Sequence, residues 1–252
     1  MAIVLPDSRW EAPELLIPGR KPVGNVKIDW SNPNSSLWKA INLLDGRDDR
    51  DMISGIQAPF LYRGGTAFNR QRLVTCGTYG SYLPYTNHIT NSRLALPLNA
   101  SGEKTNSVII QGVIFVEGLS DVPIYHTNQS SIGGLLFRVG TNGLLQVLKS
   151  EISGVGVSPD HEPIRVGLPF TAGLVYVDAS STRVFLNGAL VAAGSHAVSC
   201  VMTSSSVGPG FASTSDSTHY FIATFVAASD KVIPDRVMMS MTANPYQILI
   251  PA

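Results

Sequence analysis

Charge is scarce in this sequence. Asp, Glu, Lys and Arg make up 14% of its 252 residues, well below the ~25% of an ordinary soluble domain. The 18 Lys and Arg cancel the 18 Asp and Glu, for a formal net charge of zero. No stretch gathers the basic side chains that grip a phosphate backbone, so nucleic acid is not an expected ligand. A chain without net charge also lacks the long-range repulsion that keeps like molecules apart, so a homo-oligomer or larger assembly is expected. Cysteine is nearly absent: Cys76 and Cys200 are the only two, and without a secretion signal they read as free thiols, not a disulfide. The opening Met1-Ala2-Ile3-Val4-Leu5-Pro6-Asp7 has no basic start followed by an apolar run of ~7–15 residues, so a secretory signal is not expected. No apolar segment approaches the ~20 residues that span a bilayer. Synthesis and folding in a cytoplasm are the expectation.

Hydrophobic residues reach 44%, enough for a sizeable core, and a chain of this length suits one large β-domain with an added arm. Residues 1–36 form the arm: Pro6, Pro13, Pro18, Pro22 and Pro33 are spaced too closely for a helix and bias the preceding residues toward extended geometry. Its Trp10, Leu15, Leu16, Ile17, Val26, Ile28 and Trp30 are costly to leave in water, at roughly 1.5–3 kcal/mol per large side chain. Two placements are open: the arm packs on its own sandwich, or Trp10, Leu15, Leu16, Ile17 and Trp30 dock on a neighbouring subunit.

From residue 37 onward, short apolar stretches are broken by Gly, Asn, Ser and Pro. Leu174–Val177, Thr182–Leu186 and Ala189–Ala193 read as three strands, and Asn187-Gly188 joins the last two. A type I′ turn needs positive φ at both central residues, which Asn tolerates and Gly adopts freely. A second hairpin runs Leu135–Val139, turns at Thr141-Asn142-Gly143, and returns over Leu144–Leu148. Ser107–Phe115, Ser205–Val207 and Tyr220–Ala227 are further strands. Many strands at short intervals imply a sandwich of two antiparallel sheets over 37–252. One helix is expected near the C-terminus: Pro234 suits its first turn, Asp235 complements its positive end, Val237, Met238 and Met241 share a face, and Asn244-Pro245 stops it. The methionines read as core filler against a sheet.

The run Gly173 to Ala192, with Asp178 ending a strand and Asn187-Gly188 between the next two, resembles the hairpin element of concanavalin-like (laminin-G-like) domains. The segment from Phe221 through Pro234-Asp235 to Leu249 looks like the closing strand and helix of that class. Its Ala243-Asn244-Pro245-Tyr246-Gln247 is similar to the ending of tailed-bacteriophage and prophage virion proteins. So is the leader, Pro13-Glu14-Leu15-Leu16-Ile17-Pro18-Gly19-Arg20-Lys21-Pro22-Val23-Gly24 followed by Ile28-Asp29-Trp30-Ser31-Asn32-Pro33. The resemblance does not extend to residues 46–106. It implies an all-β concanavalin-like jelly-roll sandwich with an extended N-terminal arm and a short C-terminal helix. It also implies a non-enzymatic virion structural protein, a tail-associated adhesion component or capsid decoration, whose partners are other virion proteins.

Fold does not settle chemistry, so reactive groups are sought separately. Glucanases of this fold need two carboxylates about 5–5.5 Å apart, which on a strand fall at i and i+2 or i+4. Glu11, Glu14, Glu103, Glu117, Glu151 and Glu162 show no such pair. Asp160-His161-Glu162 comes nearest, but Pro159 and Pro163 flank it and mark a solvated loop. No Gly-x-Ser-x-Gly elbow is present. His88, His126, His161, His196 and His219 lack zinc-ligand spacing. Asp45, Asp48, Asp49 and Asp51 could offer oxygens to calcium, but Arg47 and Arg50 interleave with them, so a salt-bridged turn is the better reading. No catalytic residue, metal or cofactor is expected. The remaining sharp candidate is Tyr79, Tyr82, Tyr85, Asn87 and His88 in a Gly/Pro-punctuated loop. Aromatic faces with planar polar neighbours suit either a protein interface or a sugar, and the alternative function is a module recognising host surface glycans.

Overall fold

The short apolar stretches become two stacked antiparallel sheets. The computed structural model describes residues 15, 19–22, 24–44, 50–56, 60–61, 74–75, 81–82, 93–99, 102–114, 121–127, 133–149, 152–154, 157, 159–207 and 221–252. The strands are β1 (Val26–Ile28), β2 (Ala40–Leu43), β3 (Phe60–Leu61), β4 (Val74–Thr75), β5 (Ser81–Tyr82), β6 (Arg93–Leu96), β7 (Thr105–Ile114), β8 (Val122–Thr127), β9 (Leu135–Val139), β10 (Leu145–Lys149), β11 (Ile152–Gly154), β12 (Phe170–Val177), β13 (Ser181–Leu186), β14 (Ala189–Ser195), β15 (Ser205–Val207), β16 (Phe221–Ser229) and β17 (Leu249–Pro251). One α-helix, α1 (Asp235–Ala243), lies among the described residues. The upper sheet has the order β11-β10-β9-β8-β15-β6-β3, and the lower sheet β14-β13-β12-β7-β16-β2. This is a concanavalin-like jelly-roll sandwich, closed below by α1.

The central strands of the lower sheet are buried on both faces. Val108, Ile110, Leu174, Tyr176, Val184 and Val226 point up into the inter-sheet core, while Ile109, Val175, Phe185, Phe225 and Ala227 point down into a second core. Strands covered twice read as near-continuous apolar runs without alternation, as β7 and β12 do. A bulge between Ala223 and Phe225 inserts Thr224, so Ala223 and Val226 both face up although an unbulged strand would oppose them.

The second core is roofed by the sheet and floored by the chain's two ends. Val237, Met238 and Met241 of α1 pack there with Tyr246, Ile248 and Leu249, and with Leu15, Ile28 and Trp38 from the N-terminal segment. β1 pairs with β17, so the ends form one ribbon. Gln111 of β7 ties these parts together: its amide donates to Gly19 O at 2.9 Å, and its Oε1 accepts from Thr224 Oγ1 at 2.9 Å and from the Tyr246 hydroxyl. Gly173 sets the helix height, because a Cβ there would stand 2.8 Å from Thr242 Cγ2 and 3.0 Å from Met238 Cε.

A second polar tie crosses the upper core. Asn106 of β7 accepts from Tyr125 OH of β8 at 2.6 Å and from the Asn99 amide at 2.9 Å, and Asn99 also donates to Ser205 of β15 at 2.6 Å. Burial pushes the Tyr125 phenol pKa well up, despite hydrogen bonds that favour its ionised form, so it stays a neutral donor linking the sheets.

At the β12–β13 turn, Asp178 accepts from Ser199 Oγ at 2.7 Å, the Cys200 N–H at 2.8 Å and Lys104 Nζ at 3.1 Å. Burial opposes its charge, but these three donors outweigh burial and hold its carboxyl below the usual aspartate range. Nearby, Lys39 bridges Glu103 and Asp230 at 2.9 Å each. Partial burial opposes the ammonium charge there, yet the two carboxylates hold its pKa above the usual lysine value.

The hairpins expected from Asn187-Gly188 and from Thr141-Asn142-Gly143 are present, with Asn187 at φ 48° and Gly188 at φ 93°. The second hairpin returns over Leu145–Lys149, one residue later than expected. The helix has the expected start, buried face and stop. β8 was not foreseen, because it contains Pro123; that proline sits at a bulge between Pro123 and Tyr125, where no ladder donor is needed.

Two stability measurements follow. Gly173→Val should lower the unfolding free energy by about 1–3 kcal/mol in urea titration, the range for overpacking. Asp178→Ala should cost about 2 kcal/mol at pH 7, as expected for lost hydrogen bonds to a charge. Because the folded pKa of Asp178 is depressed, its contribution is present above the unfolded value of ~3.9 and is lost as pH falls through the folded one. The gap between wild type and Asp178→Ala should therefore narrow below about pH 4.

Candidate functional site

The tyrosine loop falls largely outside the described residues. Tyr79, Tyr85, Asn87 and His88 lie there, and Tyr82 is described only as backbone of β5, opposite Val74 of β4. Of the arm residues, Trp10, Leu16 and Ile17 also lie outside the described residues. Leu15 packs in the second core of its own chain, and Trp30 is 61% exposed. The acidic residues Asp45, Asp48 and Asp49 are outside as well. Asp51 is described and committed: its carboxylate accepts from the N–H groups of Ile41, Ile53 and Ser54 and from Ser54 Oγ, closing the β2 edge. Among the described residues no group of three His, Cys, Asp or Glu could hold a metal. No helix among them is long and apolar enough to cross a membrane.

A cleft of about 340 Å³ opens where the Asp160–Pro169 loop meets the β13–β14 hairpin. Its floor is Ile164, Phe170, Leu186 and Val191, and its rim is His161, Glu162, Arg165, Leu168 and Asn187. The loop is fastened by the Ile164 N–H to Gly143 O at 2.9 Å, the Gly167 N–H to Ile114 O at 2.7 Å, and the Asp160 N–H to Val191 O at 3.1 Å. Gly143, at φ 76°, leaves room for Pro163, whose Cβ would stand 2.8 Å from any Cβ added there. His161 Nε2 accepts from the Leu145 N–H at 3.0 Å, which leaves Nδ1 to donate to Glu162 O at 2.6 Å. Asn187 holds the opposite wall, its Oδ1 accepting from the Thr171 N–H at 2.8 Å. The cleft is thus an apolar floor under a rim of imidazole, carboxylate, guanidinium and amide groups, on a preset backbone.

From its flanking prolines, Asp160-His161-Glu162 reads as a solvated loop. Glu162 is indeed solvated, with 90% of its side chain exposed and Arg165 3.8 Å away. The cleft beside it was missed, since its floor comes from residues far along the chain. Glu162 is not shielded from water, and no second carboxylate stands among the cleft-lining residues.

Reactive groups do converge elsewhere, around Asp178. The His196 ring stacks on Tyr176 with centroids 5.2 Å apart, and the Tyr176 hydroxyl approaches Asp178 at 3.2 Å and Val198 O at 3.1 Å. Cys200 is a free thiol beside them. Burial pushes the Cys200 thiol up, only partly offset by its hydrogen bond with Tyr176, and burial pushes the Tyr176 phenol up too. A nucleophilic cysteine needs the opposite shift and access, and Cys200 is 2% exposed. This cluster braces the sandwich end.

No family model matches the chain, and no curated protein sequence matches it. Solved structures do. A sialidase of Trypanosoma rangeli aligns with a TM-score of 0.60 at 11% identity, over 84% of this chain and 33% of the sialidase. The chain thus spans about a third of that enzyme's length. Domain 4 of AbnA, an extracellular GH43 arabinanase of Geobacillus stearothermophilus, aligns with a TM-score of 0.58 at 13% identity, over 86% of this chain and 98% of the domain, in a complex with arabinotriose. At these identities what is shared is the fold, an antiparallel β-sandwich that also occurs as a separate domain of a larger carbohydrate-active protein.

Proposed function

We propose that this chain is a non-catalytic carbohydrate-binding module that recognises surface glycans. The cleft carries the reading: its volume sits at the small end of the ~300–1,000 Å³ of ligand pockets, and an apolar floor with a rim of planar polar groups suits a sugar's C–H face and hydroxyls. The arabinotriose complex of the similarly folded arabinanase domain supports the ligand class. The exposure of Glu162 and its pairing with Arg165 favour binding over hydrolysis.

A second reading concerns where such a module works: as an adhesion or decoration component of a tailed-phage virion. One observation favours it. The Asn32 amide of the leader donates to Gln247 O of the closing segment at 3.1 Å, so the two stretches that carry the resemblance to phage virion proteins are joined directly. Antibody raised against the chain should label intact particles of the phage that encodes it; unlabelled particles would end this second reading while leaving the first in place.

For the main reading, glycan-array binding by the purified chain should be specific and weakened about tenfold by Arg165→Ala combined with Leu168→Ala, the factor given by ~1.4 kcal/mol. Thermal stability should not change, because Arg165 and Leu168 are exposed. Binding that ignores both substitutions removes the cleft from the reading, and turnover of any bound glycan removes its non-catalytic character.

A further inference from the structure

Among the described side chains Trp30 is the one aromatic ring left in water, 61% exposed, while Trp38 is 5% exposed and Tyr246 fully buried. The turn that carries it is held from every side. The Asp29 N–H donates to Ile248 O at 2.8 Å, and the Asn32 N–H to Asp29 O at 3.1 Å. Ser35 Oγ donates to Asp29 O at 2.7 Å. Asp29 Oδ1 accepts from the Ser31 N–H at 3.0 Å and Ser31 Oγ at 2.5 Å. The Asn32 amide donates to Gln247 O at 3.1 Å, which pins the turn to the segment leading into β17. An aromatic ring presented on so constrained a backbone needs little further ordering when it binds.

Asp29 Oδ2 and the side-chain amide of Asn34 make no hydrogen bond among the described residues, whereas Asp29 Oδ1 and Asn32 are committed to the turn. A protein partner wants about 800 Å² of contiguous surface per side with an apolar centre. The turn offers a single exposed indole, with Lys27, Ser31, Pro33 and Ser36 of the flanking sequence also exposed, which matches one sugar ring in size.

We propose that Trp30, Asp29 and Asn34 form a glycan-contact platform, with a sugar's C–H face stacked on the indole and its hydroxyls bonded to the Asp29 carboxylate and the Asn34 amide. The inference rests on the carbohydrate-binding reading and adds a second contact surface, built from the terminal segments and separate from the cleft residues.

Affinity electrophoresis of the full chain through gels containing arabinan, galactan, mixed-linkage β-glucan or polysialic acid tests both. At least one polymer should retard the wild type. Trp30→Ala should weaken that retardation about tenfold, and Trp30→Phe, which keeps a ring face, should stay within about threefold. Asn34→Ala, which removes an amide that makes no hydrogen bond among the described residues, should weaken it as well, with melting temperatures unchanged for all three. If Trp30→Ala and Asn34→Ala bind like wild type while Arg165→Ala with Leu168→Ala does not, the platform is overturned and the cleft stands. A wild type retarded by none of the four overturns both.

Discussion

The lower sheet has two apolar faces, and the rest of the molecule follows from covering them. Strands such as β7 and β12 cannot be buried by one sheet partner alone, because their odd and even residues are both apolar. The upper sheet covers one face. The other recruits α1, the Pro245–Ile248 turn of 3-10 helix and the N-terminal segment. Burial near ~25 cal/mol per Å² drives this packing, but it is non-directional. Direction comes from Gln111, whose amide reaches the leader and the C-terminal Tyr246 together, and from Gly173, which lets the helix descend.

The same requirement sorts the polar residues. Asn106, Tyr125, Asn99 and Ser205 bond one another across the upper core, and Asp178 gathers donors at one end. These groups are consumed in holding the sandwich. The cleft and the Trp30 turn differ: their backbones are held by hydrogen bonds, while Arg165, Leu168 and the indole remain in water. A rigid frame with exposed side chains is suited to recognition, and the carboxylate pair that most glycoside hydrolases use is not found among the residues lining the cleft.

Much of the fold was legible locally. Asn187-Gly188 announced its hairpin because positive φ at two successive positions is a local demand that few dipeptides meet. The α1 boundaries were legible for the same kind of reason, from Pro234 at the start and Asn244-Pro245 at the stop. β8 was hidden by Pro123, since only its partner strands reveal the bulge that tolerates it. β1 and β17, three residues each, are too short to show a period and exist because they pair with each other across the whole chain.

Local signals in the sequence, short apolar stretches between turn residues and helical spacing after Pro234, determined the all-β class, the hairpins and the helix stripe. They could not determine what lies against each face. Leu15 and Trp30 were alike on hydrophobicity, yet one is buried under the lower sheet and the other stands in solvent, because only the closure of β1 on β17 sets where the arm turns. The cleft was likewise decided by tertiary structure: Ile164, Phe170, Leu186 and Val191 come from a loop and three strands, and no local spacing encodes the distance between them.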